Sequence, residues 1–396
     1  MNKGVAVTGM GVISCIGNNV EENYRSLVSG RPGIGKPEIL KSIHTHLPVG
    51  EVKLSNAELA QFLGLKEGHS FTRAALLGAI AAGEAINNSG IKKLDGTGII
   101  SGTSVGGMDM TEHYFKEFPE SEKHYRFIQA QHPGFTTGQI ANYFKLKGFV
   151  TTISTACSSA ANAIMLGARM IKAGQLKRVV VGGTDCLSKF TLNGFNSLMI
   201  LSEATCKPFD KDRNGLNLGE GAAYLVLEAE ELIEGKRVLG RVSGYANTND
   251  AFHQTASSET GEGAFLAMKQ ALNKAGLVPG EIDYINSHGT ATVNNDLSES
   301  RALERMFSGD NLPDFSSTKA YTGHCLAAAG GLEAVFSLLG MEKEQVFPNL
   351  NFKKPIPETG FVPVTELKQK KLNHILSNSF GFGGNCSSLI FSKNEE

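Results

Sequence analysis

Two stretches of this chain repeat one order of features. TISTACSSAANAIMLGARMI (152–171) runs from a β-branched strand through a Ser-Thr pair and a cysteine into a helix of small and apolar side chains. FSSTKAYTGHCLAAAGGLEAVFSLLGM (315–341) repeats that order, with a lysine and a histidine in its turn. RVVVGGTD (178–185) and HILSNSFGFGG (374–384) then follow as the next strand and turn. Such a repeat constrains the chain to two similar halves, and we expect the division near residue 245, giving units 1–245 and 246–396. Packed together, the halves would set their helix starts and loops around one shared cleft. The first repeated helix is apolar on nearly every face, so it must lie in the core.

Elsewhere short β-rich runs alternate with longer helical ones, the pattern of an α/β protein with buried sheets. Strands are expected at 4–9, 96–102, 148–154, 178–183, 222–228, 237–246, 282–289, 374–380 and 387–393. Helices are expected at 71–88, 158–173, 261–275, 296–306 and 328–341. A chain of 396 residues is long enough to bury a double core of this kind. Its 38 basic and 39 acidic residues leave a net charge of −1, so no global attraction to nucleic acid or an anionic membrane is expected.

The six cysteines (15, 157, 186, 206, 325, 386) are scattered and form no CxxC pair, which fits neither a disulfide framework nor a zinc module. A reducing, cytoplasmic setting is expected. In MNKGVAVTGMGVISCIG (1–17) a lysine precedes an apolar run, but four glycines interrupt it and NNVEEN follows. It reads as a first strand and glycine turn rather than a signal peptide. No apolar run approaches the length of a membrane span.

Cys157 can be filler, because an unpaired cysteine packs like a small hydrophobe. It can also be a nucleophile, since a helix start offers unpaired N–H groups and a positive dipole end that favour a thiolate. The second half supplies matching equipment. NSHGTAT (286–292) ends a strand with His288, and STKAYTGHCLAAAGG (317–331) carries Lys319 and His324. Neither histidine belongs to an HExxH segment or has an acidic ligand at helical offset, so no metal is expected. NSFGFGGNC (378–386) sets Phe380 and Phe382 among glycines, which let the backbone approach a bound group and aim N–H donors at an oxyanion. No GxGxxG fingerprint is present, so no nicotinamide or flavin cofactor is assigned.

VTGMGVIS (7–14), TACSSAAN (155–162), KPFDKDRNGLNLGEGAA (207–223), NSHGTAT, STKAYTGHCLAAAGGLEA (317–334) and SFGFGGN (379–385) stand in the order found in the β-ketoacyl-acyl-carrier-protein synthases, and the chain resembles the elongating type II enzymes over essentially its whole length. The resemblance implies a thiolase-like fold, two α/β halves in a five-layered αβαβα core, and a dimer. It implies that Cys157 accepts an acyl chain from acyl-carrier protein, and that a malonyl-carrier loses carbon dioxide to give the enolate that attacks it. His288 and His324 would hold the enolate oxygen, and the N–H groups of Cys157 and Phe382 the tetrahedral oxyanion. Lys319 would order the local hydrogen bonds, with Glu299 as its acidic partner, and Phe382 would be the gate that admits the second substrate. Val105 and Phe195 fall where the family lines its acyl pocket, and Phe380 joins them as a substrate-binding candidate.

Three positions depart from the family pattern. Val293 stands where proline is usual, Cys386 where asparagine is usual, and Met199 where an arginine often docks the carrier. Carrier docking then falls to Lys207, Lys211 or Arg213. The departures also admit a polyketide or aryl-polyene-type synthase paired with a related chain. Further alternatives are a thiolase using Cys386 as second cysteine, and a non-catalytic chain-length partner.

Overall fold

A computed structural model describes residues 4–307 and 312–394. Ten strands form the central sheet, numbered here in chain order: β1 (Val5–Ser14), β2 (Gly98–Gly102), β3 (Val150–Ile153), β4 (Arg178–Asp185), β5 (Gly221–Glu228), β6 (Gly240–Asn249), β7 (Tyr284–Asn286), β8 (Asp314–Ser316), β9 (His374–Gly381) and β10 (Asn385–Ser392). Their spatial order is β8-β7-β9-β10-β6-β1-β5-β4-β2-β3. The first five strands lie in the order β3-β2-β4-β5-β1 and the second five in the order β8-β7-β9-β10-β6, which is the same order counted within each set. The senses match too. β3, β2 and β4 run parallel while β5 and β1 are antiparallel additions, and the second set repeats this strand for strand. Among the described residues the two sets pair only where Val5–Val7 meet 240–242. β6 runs across position 245, so the topological division lies ahead of Gly240.

Five long helices complete the layers: α1 (Arg73–Asn88), α2 (Ser159–Lys172), α3 (Glu262–Ala275), α4 (Val293–Phe307) and α5 (Ala329–Lys343). α1 packs on β1, β4 and β5, α3 on β6 and β10, and α4 against α3. α2 and α5 touch each other and strands of both sets, so they form the middle layer of a thiolase-like αβαβα stack. Their small residues are what permits this. A side chain at Gly330 would stand 3.0 Å from the Ala161 methyl carbon, and one at Gly331 would stand 3.4 Å from that of Ala160. Every residue of α5 from Ala329 to Met341 is buried. The central strands read as continuous apolar runs because both their faces are covered.

The helices Val20–Val28, Asn56–Phe62, Met108–Tyr114, Pro133–Tyr143 and Lys189–Ser197 were not expected from periodicity. They are short and are set by their ends. Asn19 and Ser55 cap the first two by accepting backbone N–H bonds, and Pro133 opens the fourth. Among the described residues no helix is long and apolar enough to cross a membrane.

Candidate active site

β3 ends at Ile153, α2 begins at Ser159, and the chain reverses between them through Ala156 at φ +51°. That left-handed backbone is costly for a residue with a Cβ. It is held by local bonds: Ser159 Oγ accepts the Thr155 N–H at 2.9 Å and donates to the Ala156 carbonyl at 2.6 Å, and Ser158 Oγ donates to the Thr155 carbonyl at 2.7 Å. The turn presents Cys157 at the wall of a cavity of about 350 Å³. From the second set of strands, His288 follows β7 and His324 stands between Lys319–Thr322 and α5. Both reach the same cavity, together with Phe195, Phe380 and Phe382.

His324 Nε2 lies 3.0 Å from Cys157 Sγ, and the two imidazoles meet edge to face at 5.4 Å between ring centres. Phe380 packs on His288 at 5.6 Å, and Phe382 stacks on Phe195 at 5.7 Å. The backbone N–H groups of Phe382 and Cys157 both favour a thiolate at Sγ. Gly381 makes their approach possible, since a side chain there would sit 2.9 Å from the Thr155 carbonyl oxygen and 3.1 Å from the Cys157 nitrogen.

The electrostatics differ from the expectation for a helix start. Burial pushes the Cys157 thiol up to about 11, against the nearby Lys319 charge and the N–H bonds that favour the thiolate. The residue precedes the helix cap and is 6% exposed, so desolvation outweighs the dipole. A protonated thiol therefore faces a neutral imidazole. Burial, with the Lys319 charge second, holds both His288 and His324 well below the usual imidazole range.

Lys319 spends its three N–H donors on the Glu333 carboxylate, the His288 carbonyl and His288 Nδ1, the last at 3.3 Å. Nδ1 of His288 is thus an acceptor, which leaves the proton on Nε2. His324 differs, because its Nδ1 has no hydrogen-bond partner and no contact fixes its tautomer.

Glu333, not Glu299, is the carboxylate that faces Lys319. Glu299 instead accepts the N–H groups of His288 at 2.9 Å and Gly289 at 2.8 Å, and Asn378 Nδ2 at 3.2 Å. It holds the backbone that carries His288, and burial pushes its own carboxyl up to about 7. Val105 is absent from the cavity wall and joins the cluster of Leu192, Leu216, Leu218 and Leu326 behind Phe195. Arg213 is buried and bonds the carbonyls of Asp210, Thr292 and Val293, so it ties loops together and is not free to meet a carrier. Met199 and Val293 line the cavity and stay exposed. Cys386 also reaches the wall, and burial pushes its thiol up to about 12.

Two carboxylates were missed by sequence reading. Glu333 is the one acid in the buried apolar run 329–341 of α5, which by itself signals a buried partner. Asp185 ends β4 and accepts from Thr103 Oγ1 and Ser104 Oγ, both at 2.6 Å, and from the Ala327 N–H at 3.0 Å. Among the described residues no group of three or more His, Cys, Asp or Glu side chains is placed to hold a metal ion.

The family model described as "Beta-ketoacyl synthase, N-terminal domain" matches residues 2–232, and its C-terminal counterpart matches 239–353. The chain is 33% identical over 415 residues to 3-oxoacyl-[acyl-carrier-protein] synthase 2 of Staphylococcus aureus, covering 100% of this chain and 99% of that protein. It is 34% identical to the protein of that name from Synechocystis sp., covering 99% and 98%. Among solved structures, the ishigamide ketosynthase/chain length factor superimposes with a TM-score of 0.93 at 28% identity over all of both chains. The ketosynthase ApeO in complex with its chain length factor ApeC, from Xenorhabdus doucetiae, gives 0.85 at 31% identity over 99% and 98%.

Proposed function

The chain belongs to the β-ketoacyl synthase family of acyl-transferring condensing enzymes, and we propose that it extends a Cys157-bound acyl chain by two carbons from malonyl-acyl-carrier protein, as in fatty acid elongation. The observation that carries this reading is the Cys157 thiol 3.0 Å from a neutral His324, with a second neutral imidazole beside it.

In the first half-reaction Sγ bonds to the carbonyl carbon of an acyl thioester while its proton passes to His324 Nε2. The tetrahedral oxyanion is met by the N–H groups of Cys157 and Phe382. The carrier thiolate then leaves and takes the proton back. In the second, the malonyl carboxylate departs as carbon dioxide and its bonding pair stays behind as an enolate. The enolate oxygen accepts from Nε2–H of His288 and His324. Lys319 fixes that tautomer in His288, whereas His324 exchanges its Nδ1 proton for one on Nε2 through cavity water between the half-reactions, a change that no Nδ1 partner opposes. The enolate carbon attacks the acyl carbonyl, the second oxyanion collapses, and the C–S bond breaks. Cys157 leaves as a thiolate and recovers its proton from solvent, releasing a 3-oxoacyl chain. Neither half-reaction draws on a cofactor or metal. Lys319, Glu333 and Glu299 act by holding His288.

A second reading has a specific observation in its favour. The full-length match to the ishigamide ketosynthase/chain length factor, with the ApeO–ApeC complex beside it, fits a polyketide or aryl-polyene-type synthase that works with a related chain. Acyl-carrier protein is the partner in both readings. A homodimer goes with the first and a heterodimer with the second.

Incubating the purified protein alone with malonyl-carrier protein and a panel of saturated and polyunsaturated acyl-carriers separates them. Acyl mass on Cys157 and two-carbon extension of saturated chains are expected, with both lost in Cys157→Ala. Extension only of unsaturated chains, or only after a second subunit is added, would move the assignment to the second reading. Absence of any acyl-Cys157 would remove both and bring forward a thiolase or a chain-length partner.

A further inference from the structure

Directly after the Phe-Gly loop, Asn385 carries an amide that the catalytic roles leave unused. Its Oδ1 accepts from Asn162 Nδ2 at 3.1 Å and Asn247 Nδ2 at 2.6 Å, and it shares with the Thr155 carbonyl the one proton of Ser158 Oγ, 2.7 Å from each. The second N–H of Asn247 Nδ2 goes to Ser387 Oγ at 2.8 Å, with Asn162 Oδ1 also near it at 3.1 Å, and Ser387 Oγ donates to Asn162 Oδ1 at 2.7 Å. Ser158 is the residue after the nucleophile, Asn162 lies in the first turn of α2, and Asn247 belongs to β6. One amide oxygen thus joins the strand leaving the gate to the nucleophile's turn, to the start of α2 and to the neighbouring strand β6.

The loop itself is held differently. Gly383 and Gly384 sit at φ +81° and +77°, where glycine turns at least cost. Their remaining bonds run to the neighbouring loop: the Gly383 N–H to the Gln254 carbonyl at 2.7 Å, Asn249 Nδ2 to the Gly383 carbonyl at 3.0 Å, and the Asp250 N–H to the Gly384 carbonyl at 2.8 Å. A swing of Phe382 breaks these bonds. The Asn385 bonds join scaffold to scaffold, and they set where the loop's fixed end stands when those closed bonds form.

We propose that Asn385 is a positioning residue, the fixed end of the gate, whose Oδ1 anchors the closed Phe382 loop over Cys157 while the loop swings on Gly383 and Gly384. The anchor rests on the reading of Phe382 as a gate. It acts on the reaction only through the position of the Phe382 N–H and the access to Sγ. Its three shorter bonds ask the side chain for an acceptor and its one donation, Nδ2 to Asn247 Oδ1, is long at 3.5 Å, so a carboxylate should largely replace the amide and a methyl group should not.

The test is the rate at which iodoacetamide alkylates Cys157 in the full-length protein, read by peptide mass so that Cys386 is resolved from it. Asn385→Ala should react about fivefold faster or more, the effect of losing one net hydrogen bond from the closed state. Asn385→Asp should react no faster than the wild type, and Asn247→Ala should fall between. Wild-type rates in Asn247→Ala and in Asn385→Ala would overturn the anchor. So would an Asn385→Asp rate equal to that of Asn385→Ala, because a purely structural loss would not be rescued by charge. Asn247→Ala carries the test should Asn385→Ala fail to fold. Condensation is measured alongside. A protein that shows this alkylation pattern without condensing keeps the anchor and loses the proposed function, and the reverse result loses only the anchor.

Discussion

Cys157 and Ala327 occupy matching places in the two sets of strands, and they differ in what meets their backbone. Each follows a residue forced into left-handed backbone, Ala156 and Leu326, both at φ +51°, and each stands two residues ahead of an inner helix. Beside each turn a strand ends, β4 at Asp185 and β9 at Gly381, in equivalent positions of the sheet. At the second turn the Asp185 carboxylate accepts the Ala327 N–H. At the first, Gly381 has no side chain to offer, and the Cys157 and Phe382 N–H groups favour a thiolate at Sγ instead. The repeat therefore builds two anion-accepting turns. One is filled by the protein's own carboxylate, while the other stays open and, in the proposed mechanism, receives the oxyanion.

Filling the open turn is the strongest way to break this comparison. Gly381→Ala places a methyl carbon against the Thr155 carbonyl and the Cys157 nitrogen. Displacing one oxyanion donor costs about 2.7 to 4 kcal/mol of barrier. Condensation should therefore fall roughly 10²- to 10³-fold, in kcat rather than in the KM for either carrier. Activity within a few-fold of wild type would mean that the turn's N–H groups do not serve the oxyanion. Emptying the filled turn is the complement. Asp185→Ala leaves Thr103, Ser104 and Ala327 donors without an acceptor, and should cost about 3 kcal/mol in urea unfolding. Condensation per folded molecule should change little.

How much of this was legible in the sequence follows the same line. The repeat showed itself because both inner helices must be small-sided to touch, and that leaves a composition no surface helix would carry. Cys157, His288, His324 and Phe382 stood out because each stands in a turn or at a strand end beside glycine or small residues. What escaped was side-chain pairing across the halves. Glu299 and Glu333 are equally plausible partners for Lys319 by type, and only the packing of α5 against β9 decides for Glu333. Asp185 looked like a strand end because its partner, the Ala327 N–H, is distant in sequence and belongs to the backbone. Val105 failed for the same reason, since a pocket wall depends on which way a loop turns its apolar side chain.

Protonation gives a smaller and separate handle. In the folded chain His288 and His324 titrate well below the ordinary range, so below about pH 6.5 the unfolded chain binds protons that the native one does not. Each histidine's contribution is present above pH 6.5 and is lost as pH falls, by about 1.4 kcal/mol per pH unit until the folded group titrates. The Glu299 carboxyl, raised to about 7, works in the opposite sense, with stability present below its unfolded value and lost as pH rises through 7. Comparing wild type with His324→Asn cancels that contribution. The variant's unfolding free energy should fall less steeply between pH 6.5 and 5.5, and parallel curves would place a charged His324 in the resting site.

The smallest effect tests the strained residues themselves. Left-handed backbone at a non-glycine costs roughly 1 to 2 kcal/mol, which Ala156→Gly removes from the folded state. The same change frees the unfolded chain, at a cost of about 0.4 to 1 kcal/mol. The net stabilisation should therefore lie between zero and about 1.6 kcal/mol, read as a small rise in urea midpoint. Leu326→Gly relieves the same strain but also deletes a side chain packed among Leu192, Leu216 and Leu218, so it should destabilise by about 2 kcal/mol or more. The informative quantity is activity. At the catalytic turn the strain aims Cys157 at His324, so Ala156→Gly should trade its stability gain for slower acylation of Cys157. A variant that is both more stable and fully active would show that the Ser158 and Ser159 bonds alone hold the turn, and that the left-handed residue is a relic of the repeat rather than part of the site.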